Sequence, residues 1–338
     1  MSSTETSAEG DAAAAERLAF ERLARERRSE IKVHCYRMLG SLSEADDMAQ
    51  ETFARAWGAR AELAEPAAAR SWLYRIATNA CLDALRRRKR ERRLWADPAP
   101  LDAGADLGAP DLDVDWLEPM PDSLLSDIAD DAPGPLASYE RAEAVRLAFL
   151  SCAQLLPPRQ RAIFLLCEVL GWSARDVASA FAISPQAANS LLQRARRTFG
   201  AAYRSEPKWA AAGDLDRRVA ERYAASLESR DLDALVSLLR SEATLHMPPW
   251  RGWFHGHDSI RALLAQLFQA YAGYLARVFR ANGRWAIAVY ARTAENDAWQ
   301  PHAIQVLEVS EGAVGSIVAF VGLQGPSLFA NAGLPLEP

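Results

Sequence analysis

Near the middle of the chain, amides, a hydroxyl and a guanidinium recur at the spacing of one helix face. Asn189, Ser190, Gln193 and Arg194 stand three, four, seven and eight residues after Gln186, so a helix would present all five together. The face carries no carboxylate, and amides and guanidinium groups form bidentate hydrogen bonds with base edges in the major groove. The pattern predicts a helix that reads duplex DNA. The alternative is an ordinary solvated face on a three-helix domain.

The residues before this face mark the ends of two shorter helices. Pro157 and Pro158 favour the start of the first helix, and Gly171 favours its end. A second short helix is expected at about 174–181, and Ser184 then stands where an N-cap is needed. Two short helices followed by a polar one predict a helix-turn-helix over residues 141–204.

The predicted recognition helix runs from Ser184 to Arg197. Its last residues, Arg196 and Arg197, are suited to phosphate contacts, which fix the register of a protein on DNA without reading sequence. Ala187, Leu191 and Ala195 are expected to pack inward.

A second polar face is acidic and lies nearer the N-terminus. A helix is predicted to begin at Ser43 as N-cap, with Asp47, Gln50 and Glu51 on its exposed face and Asp46 at the border. From periodicity alone, a solvated acidic surface is the preferred interpretation.

A third helix, predicted over 71–93, combines aromatic, amide and basic side chains. The aromatic and polar part is followed by an arginine-rich run from 86 to 93, which only Glu91 interrupts. Stacking surfaces beside phosphate-binding cations are typical of proteins that hold unpaired nucleic acid. The residues expected to do so are Trp72, Arg75, Asn79, Arg86, Arg87 and Arg88.

Charge is distributed unevenly over the 338 residues. Residues 96–140 carry 12 acidic and no basic side chains, whereas the segments 1–95 and 141–208 carry net charges of +3 and +6. Residues 96–140 are also rich in Pro, Gly and Asp and cannot bury a core, so they are predicted to be a flexible linker. Only the stretch from Trp116 to Leu125 stands out by its apolar side chains.

Several classes of protein do not fit the sequence. No apolar run is long enough to span a membrane, and the first 20 residues, of which 1–14 are expected to be disordered, lack the pattern of a signal peptide. The four cysteines are scattered without a Cys-x-x-Cys pair, which indicates reduced thiols in a cytoplasmic protein and argues against a zinc site. No metal or cofactor is predicted.

The remaining residues, 212–338, predict an α+β domain. Two helices come first, and after an aromatic loop and a further helix, capped by Asp258 or Ser259, several alternating strands follow. Asn282-Gly283 and Glu311-Gly312 are typical of tight hairpin turns. The chain is therefore expected to be multidomain, with two all-α domains joined by an acidic linker and a C-terminal α+β domain.

Two sets of motifs resemble one known family. Residues 15–95, with the motifs Glu44–Trp57 and Ser71–Asn79, resemble region 2 of the sigma-70 superfamily in its extracytoplasmic-function (ECF) class. Residues 141–204, with the motif Leu156–Arg161, resemble region 4 of the same class. The resemblance implies a promoter-specificity subunit of bacterial RNA polymerase that is not an enzyme.

The resemblance also implies partners and roles. Asp46, Asp47, Gln50 and Glu51 become candidates for docking on the clamp helices of the polymerase β′ subunit, with the β subunit as a further partner. The region from the 58–69 loop through the basic run of the third helix would melt and hold the −10 element of promoter DNA. The acidic linker would thread through the polymerase channel. Region 4 would read the −35 element as duplex, through Ser184, Gln186, Asn189, Ser190, Gln193, Arg194, Arg196 and Arg197.

The C-terminal domain resembles the SnoaL-like branch of the NTF2-like cone fold. The carrying motifs are Met247–Trp250 and Gly252–Gly256. Such cones enclose a pocket, and some relatives are enzymes with an Asp/His pair, for which the candidates here are His246, His255, His257, Asp258 and His302. No spacing among these specifies catalysis, so a role in packing and regulation in cis is preferred. The alternatives are a DNA-binding regulator with a ligand-sensing or enzymatic cone, and a plain helix-turn-helix regulator.

Overall fold

The computed structural model describes residues 2–63, 65–88, 92–93, 100–102, 104–105, 107–111, 115–126, 144–205, 213–250, 252–321 and 325–338. Parts of the predicted linker, and residues 89–91 of the basic run, lie outside the described residues. No helix among the described residues is long and apolar enough to cross a membrane.

Twelve helices are assigned here within the described part of the chain. They are α1 Ser2–Leu39, α2 Leu42–Gly58, α3 Ala69–Arg87, α4 Ser123–Ser126, α5 Leu147–Gln154, α6 Pro158–Phe164, α7 Ala174–Ala180, α8 Pro185–Ser205, α9 Asp214–Glu228, α10 Leu232–Ser237, α11 Gly256–Ala270 and α12 Gly325–Asn331. Short 3₁₀ turns occupy Arg60–Glu62 and Pro66–Ala68, and a π turn, Leu165–Val169, extends α6.

The strands form a short pair and a larger sheet. They are β1 Arg92–Arg93, β2 Pro100–Leu101, β3 Asp115–Trp116, β4 Leu239–His246, β5 Trp253–His255, β6 Gly273–Ala281, β7 Arg284–Arg292, β8 Gln300–Ser310 and β9 Ala313–Val321.

The N-terminal domain packs α1, α2 and α3 around one core. Ile31, Cys35, Met38 and Leu39 recur at helical spacing on α1 and are buried against Leu73 and its neighbours on α3. The stripe begins only near Phe20, whose ring meets Trp57 of α2 at 5.2 Å between centroids. Leu18, one position earlier than Ala19 on the same helix, takes no part in this stripe, because it is 66% exposed.

Two predicted boundaries in this domain are corrected. Residues from Ser2 onward are helical rather than disordered, since the run of four alanines before Glu16 has high helix propensity and extends α1. Gly40, with φ of 74°, ends α1, and Ser41 rather than Ser43 is the N-cap of α2. The Ser41 hydroxyl accepts the Glu44 amide hydrogen at 3.2 Å.

The helix-turn-helix is confirmed by α6, α7 and α8. Ser173 begins α7 with a capping box to Asp176, and Gly171, with φ of 72°, separates this helix from the one before. The inward face of α8 is rotated by one residue from the prediction: Ala188, Leu192, Ala195 and Phe199 are buried, whereas Ala187 and Leu191 are half-buried.

The C-terminal domain confirms the α+β prediction with a seven-stranded mixed sheet. Its strand order is β2-β5-β4-β9-β8-β7-β6, in which the β2–β5 and β4–β9 pairs are parallel and the others antiparallel. Both predicted hairpin turns are present, with positive φ at Asn282, Gly283, Glu311 and Gly312. The predicted cap of α11 is wrong, because the helix begins at Gly256 and Ser259 instead bonds back to the backbone of His255.

The sheet is apolar on both faces. Leu245, Ile287, Leu307 and Ile317 point to one face and form a core with α9 and α11. Residues one position away, such as Ala286, Ala288, Ile304 and Val306, point to the other face and belong to one continuous apolar cluster with the two helical domains and α12. The outer face of the sheet is therefore part of the interface between the domains.

The linker segment before α4 is held at this interface by Glu118. One carboxylate oxygen accepts from the Ser41 hydroxyl at 2.8 Å and the other from the Leu42 amide at 2.8 Å. The Tyr36 hydroxyl donates to the Glu118 carbonyl at 2.6 Å. The linker thereby places a carboxylate at the N-terminus of α2, where the helix dipole favours negative charge.

Asn282, in the turn between β6 and β7, completes the contact. It is fully buried, exchanges two hydrogen bonds with the backbone of Met120, and its amide donates to the Tyr36 hydroxyl at 3.0 Å and the Val145 carbonyl at 2.7 Å. Tyr36, Glu118, Met120 and Asn282 are called the domain junction below, because together they join both helical domains, the linker and the sheet.

Candidate nucleic-acid interface

The recognition helix presents the polar face that its sequence predicts. Gln186, Asn189, Ser190, Gln193 and Arg194 are all exposed on α8, as are the two arginines that follow, Arg196 and Arg197. Amide donors and acceptors are thus followed by guanidinium donors on one solvent-facing strip.

Ser184 fixes where this strip begins. Its hydroxyl accepts the Ala187 amide hydrogen at 3.1 Å, so it acts as the predicted N-cap of α8, with Pro185 at the first helical position. A capped helix N-terminus also carries a partial positive charge, which attracts a phosphate group.

Arg196 is engaged within the protein rather than extended into solvent. Its guanidinium binds Glu168, on the π turn after α6, through Nε at 3.0 Å and Nη2 at 2.7 Å. The arginine side chain remains 56% exposed. Glu168 therefore orients the guanidinium and competes with any anion that approaches it.

The acidic face of α2 is exposed and partly paired. Asp47 and Gln50 are exposed and Glu51 is half-exposed, while Asp46 lies 3.1 Å from the Lys32 ammonium of α1. Burial alone would raise the pKa of Asp46, but hydrogen bonds from Lys32 and Gln50 and the charge of Arg28 outweigh it and lower that pKa. The carboxylate therefore stays ionised.

Four predicted residues of α3 lie on its accessible side. Asn79 is exposed, Arg75 pairs with Glu62 at 3.5 Å, and Arg86 pairs with Asp83 while its side chain stays 72% exposed. Arg87 is also exposed. These groups can meet a polar or anionic partner without unfolding the helix.

The structure corrects the expectations for two other residues of this helix. Trp72 is only 7% exposed, because the helix turns it toward the core together with Tyr74 and Thr78. α3 ends at Arg87, and Arg88 turns back to bind Glu44 and the Leu39 carbonyl, which leaves its side chain 11% exposed. Arg88 therefore joins α3 to the first two helices and is not available as a free phosphate contact.

The accessible side of α3 faces the helix-turn-helix domain. An open groove of about 430 Å³ lies between Trp72 and Arg75 on α3 and Trp172 and Asp176 at the start of α7. A second cleft, of about 240 Å³, lies between Asn79 and the region around α6. The predicted DNA-binding side of α3 thus lies next to the helix-turn-helix domain in this conformation.

The histidines of the C-terminal domain do not form one site. His246 stacks on Trp253 at 5.5 Å and lies on the outer face, beside Val318 on the neighbouring strand. His257 contacts the Leu239 carbonyl at 3.1 Å, and His302 lies 4.6 Å from the ring of Tyr271. Burial lowers the pKa of His246 and of His302 to about 4, and His255 and Asp258 are exposed.

Sequence reasoning missed the residues that join the domains. The buried Arg161 guanidinium donates to the Ala153, Gln154 and Leu156 carbonyls and, at 2.6 Å, to the Met38 carbonyl of α1. For Asn282, the sequence predicted a place in a hairpin turn but no contact between domains. Arg161 stands three and four residues before the apolar Phe164 and Leu165, so its place on their helix face was the available signal for the first. No local signal marks the partners of the second.

Models of known families match three segments of the chain. Sigma-70 region 2 matches residues 23–91, sigma-70 region 4 matches residues 146–199, and a SnoaL-like domain matches residues 220–318.

Curated proteins and solved structures agree with these matches. The chain is 40% identical over 326 residues to the ECF RNA polymerase sigma factor SigG of Mycobacterium tuberculosis H37Rv, which covers 91% of this chain and 82% of that protein. Over 213 residues it is 30% identical to SigJ of the same strain, covering 62% of this chain and 58% of SigJ. The crystal structure of M. tuberculosis SigJ covers 94% of this chain and 99% of that one, with a TM-score of 0.58 and 21% identity. At that identity, the structural similarity concerns the fold.

Proposed function

The chain belongs to the extracytoplasmic-function family of RNA polymerase sigma factors, and we propose which of its residues carry out each part of promoter recognition. Region 4 reads the −35 element as duplex, region 2 binds core polymerase and holds the −10 element, and the C-terminal domain restrains both in cis.

The exposed strip of α8 is the observation that carries the proposal for the −35 element. Gln186, Asn189, Gln193 and Arg194 are exposed groups that match base edges in the major groove. Ser184 and Ser190 would add shorter polar contacts, and Arg196 and Arg197 would meet phosphates.

The acidic face of α2 is proposed to dock on the clamp helices of the polymerase β′ subunit. Asp46, Asp47, Gln50 and Glu51 form an exposed or half-exposed acidic strip on a well-packed helix. Charge complementarity of this kind speeds association and selects the partner.

For the −10 element, we propose Arg75, Asn79, Arg86 and Arg87 as contacts on α3. These four remain accessible, and Trp72 forms part of the wall of the adjoining groove. Arg88 is left out of this set because of its internal hydrogen bonds.

The conformation described here is proposed to be a closed form. The names of the two promoter elements place them about 25 base pairs apart, which is roughly 85 Å along the duplex at about 3.4 Å per base pair. The DNA-binding side of α3 and the helix-turn-helix instead border the same grooves. Reading both elements therefore requires the two domains to separate, and the domain junction opposes that separation.

Reconstituted transcription tests the proposal. The chain with core bacterial polymerase and a genomic promoter library is expected to give promoter-specific transcripts, and Asp47→Arg is expected to abolish them and polymerase binding while duplex binding persists. Arg175→Ala, which removes an exposed charge of the helix-turn-helix away from the recognition strip, is the control. Duplex binding without any transcripts would favour a stand-alone regulator.

Small-molecule sensing by the C-terminal domain is a second candidate function. The Tyr223 hydroxyl and the Gln305 side-chain oxygen are buried and have no hydrogen-bond partner among the described residues. Tyr223 on α9 and Gln305 on β8 belong to the layers that enclose the inner core. A ligand-induced rise in the melting temperature of the full chain that Tyr223→Phe removes would support it; no enzymatic activity is proposed.

A further inference from the structure

The cleft between α3 and the helix-turn-helix domain has the size and lining of a ligand site. Its volume is about 240 Å³. An apolar cavity of about 150 Å³ in another protein holds one benzene molecule, so this cleft has room for one ring with a substituent. The lining residues are Asn79, Leu82, Asp83, Arg86, Pro158, Arg159, Ala162, Ile163, Phe181, Ile183 and Leu191.

One wall of the cleft is apolar and comes from both domains. This wall includes Leu82 of α3 and Ile163 of α6, together with Phe181 and Ile183 around the turn before α8. Leu82, Phe181 and Ile183 are only half-buried, so the two domains meet here without filling the space. A flat apolar ring would cover these side chains.

The rim of the cleft carries a net positive charge. Arg86 and Arg159 contribute two guanidinium groups, and Asp83 contributes one carboxylate. Asp83 is already bound by Arg55 at 3.0 Å and by Arg86, and the hydrogen bond from Arg55 lowers its pKa although burial opposes this. Arg159 is exposed beside the cleft, so one anionic group would complement the rim.

We propose that this cleft binds a small aromatic monoanion, a single ring that carries a carboxylate. The ring packs between Leu82 and Phe181, and the carboxylate lies at Arg159 with the Asn79 amide beside it. Nothing in the sigma roles assigned above requires such a ligand.

The position of the cleft gives binding a consequence, which rests on the proposed function. The ligand contacts α3 and the helix-turn-helix at once, so it binds the closed form and shifts the population toward it. It also covers Asn79 and Arg86, two of the proposed −10 contacts. The aromatic monoanion therefore acts as an inhibitor of promoter engagement.

Fluorescence polarisation of 2-aminobenzoate with the full chain tests the site. We expect saturable one-to-one binding in the absence of DNA and polymerase. The uncharged isostere 2-aminobenzamide is expected to bind about tenfold more weakly, because it loses a charge-assisted hydrogen bond. No saturation, or equal binding of the two compounds, overturns the proposal.

Variants locate the bound ring. Arg159→Ala should weaken 2-aminobenzoate about tenfold and Arg159→Lys much less, while Ile183→Trp should fill the cleft and abolish binding. Arg175→Ala removes an exposed arginine of the same domain outside the cleft and should bind as the unmodified chain does.

Two results of this series would contradict the proposal that the ring binds in the cleft. Equal weakening by Arg159→Ala and Arg175→Ala would indicate nonspecific charge attraction. Binding that Tyr223→Phe removes and the cleft variants leave intact would place the ring in the C-terminal domain. Because the assay contains no polymerase, its failure is distinguishable from a failure of the sigma assignment.

Discussion

At the scale of single residues, the pair Arg196 and Glu168 controls one cation of the proposed DNA-binding strip. Two guanidinium nitrogens donate to one oxygen of Glu168, which holds the guanidinium at the end of the exposed face of α8 but offers it a competing carboxylate. The pair is partly exposed, so its contribution to stability is small, and either partner can be changed without loss of the fold.

Changing either member of this pair should alter duplex binding in opposite directions. Arg196→Ala should lower the slope of log affinity against log salt by about 0.9, since one phosphate contact is lost. Glu168→Gln should raise duplex affinity up to about fivefold, because it frees the guanidinium. Filter binding on −35 duplex over a salt series measures both. Arg204→Ala, beyond the strip on the same helix, is the control, and an unaltered slope for Arg196→Ala would remove that residue from the phosphate contacts.

His34 is the residue that most clearly links this fold to pH. Burial, with a contribution from Arg37, lowers its pKa from 6.5 to about 3. Thr78 donates its hydroxyl hydrogen to the Tyr74 carbonyl, so His34 must donate to Thr78 through Nε2, at 2.9 Å. The imidazole is therefore neutral in the folded protein and carries its proton on Nε2.

The free energy of unfolding should fall as the pH is lowered from 6.5 toward 3. In that window the unfolded chain protonates this histidine and the folded chain does not, which costs about 1.4 kcal/mol per pH unit. His34→Gln keeps a donor for Thr78 but cannot titrate. Between pH 6.5 and 5, the slope of its unfolding free energy against pH, measured by urea denaturation, should therefore be smaller by about 1.4 kcal/mol per pH unit. His246 and His302 contribute in the same direction and remain in the variant. An unchanged slope would show that His34 titrates normally in the folded state.

At the scale of elements, the turn between β6 and β7 does more than reverse the chain. Asn282 and Gly283 have positive φ, as a tight hairpin turn requires, and the Asn282 side chain also bonds Tyr36 and Val145 of the helical domains. Asp122 strengthens the same turn by pairing with Arg280 at 3.2 Å and accepting from the Gly283 amide.

Asn282→Gly isolates the joining role of this turn from its geometry. Glycine tolerates the positive φ, so the hairpin persists while the side-chain hydrogen bonds at the domain junction are lost. We expect unfolding free energy to fall by about 1–3 kcal/mol, as buried partners lose their bonds, and promoter-directed transcription to rise. Glu311→Gly changes the other hairpin turn, which has the same backbone geometry but an 84% exposed side chain, and should leave transcription unchanged. Transcription that stays level in Asn282→Gly, with the fold intact, would mean that the junction imposes no restraint.

The elements were predictable where their cause is local. The recognition helix and both hairpin turns follow from periodicity and turn residues within a few positions. The wrong expectations arose where distant packing decides: Trp72 has the composition of an exposed nucleic-acid surface but lies on the buried side of α3, and Arg88 turns back to Glu44, which is 44 positions earlier. The partners of Asn282 lie 137 and 246 positions away, so nothing near it in the sequence could indicate them.

At the scale of the whole molecule, one apolar cluster runs through both helical domains and the outer face of the sheet. Because they share this cluster, the domains are packed against one another and are not independent units joined only by a linker. Arg146, at the start of α5, lies 3.9 Å from Glu308 of β8, which in turn contacts the buried Arg284 at 2.6 Å. Separation of region 4 from the sheet exposes apolar surface and leaves these charges to water, so an external partner such as the polymerase must compensate.

The first part of the linker shields the rim of the sheet. Pro100 and Leu101 pair in parallel with Trp253 and Phe254 of β5, and the Trp250 indole donates to the Gly108 carbonyl. If the linker is drawn into the polymerase channel, this short strand must peel away and leave the amides of β5 unpaired. A bare strand edge is a template for pairing with another chain. Free molecules with a detached linker would thus be prone to self-association. By covering the edge of β5, the linker strand keeps the protein soluble until polymerase binds.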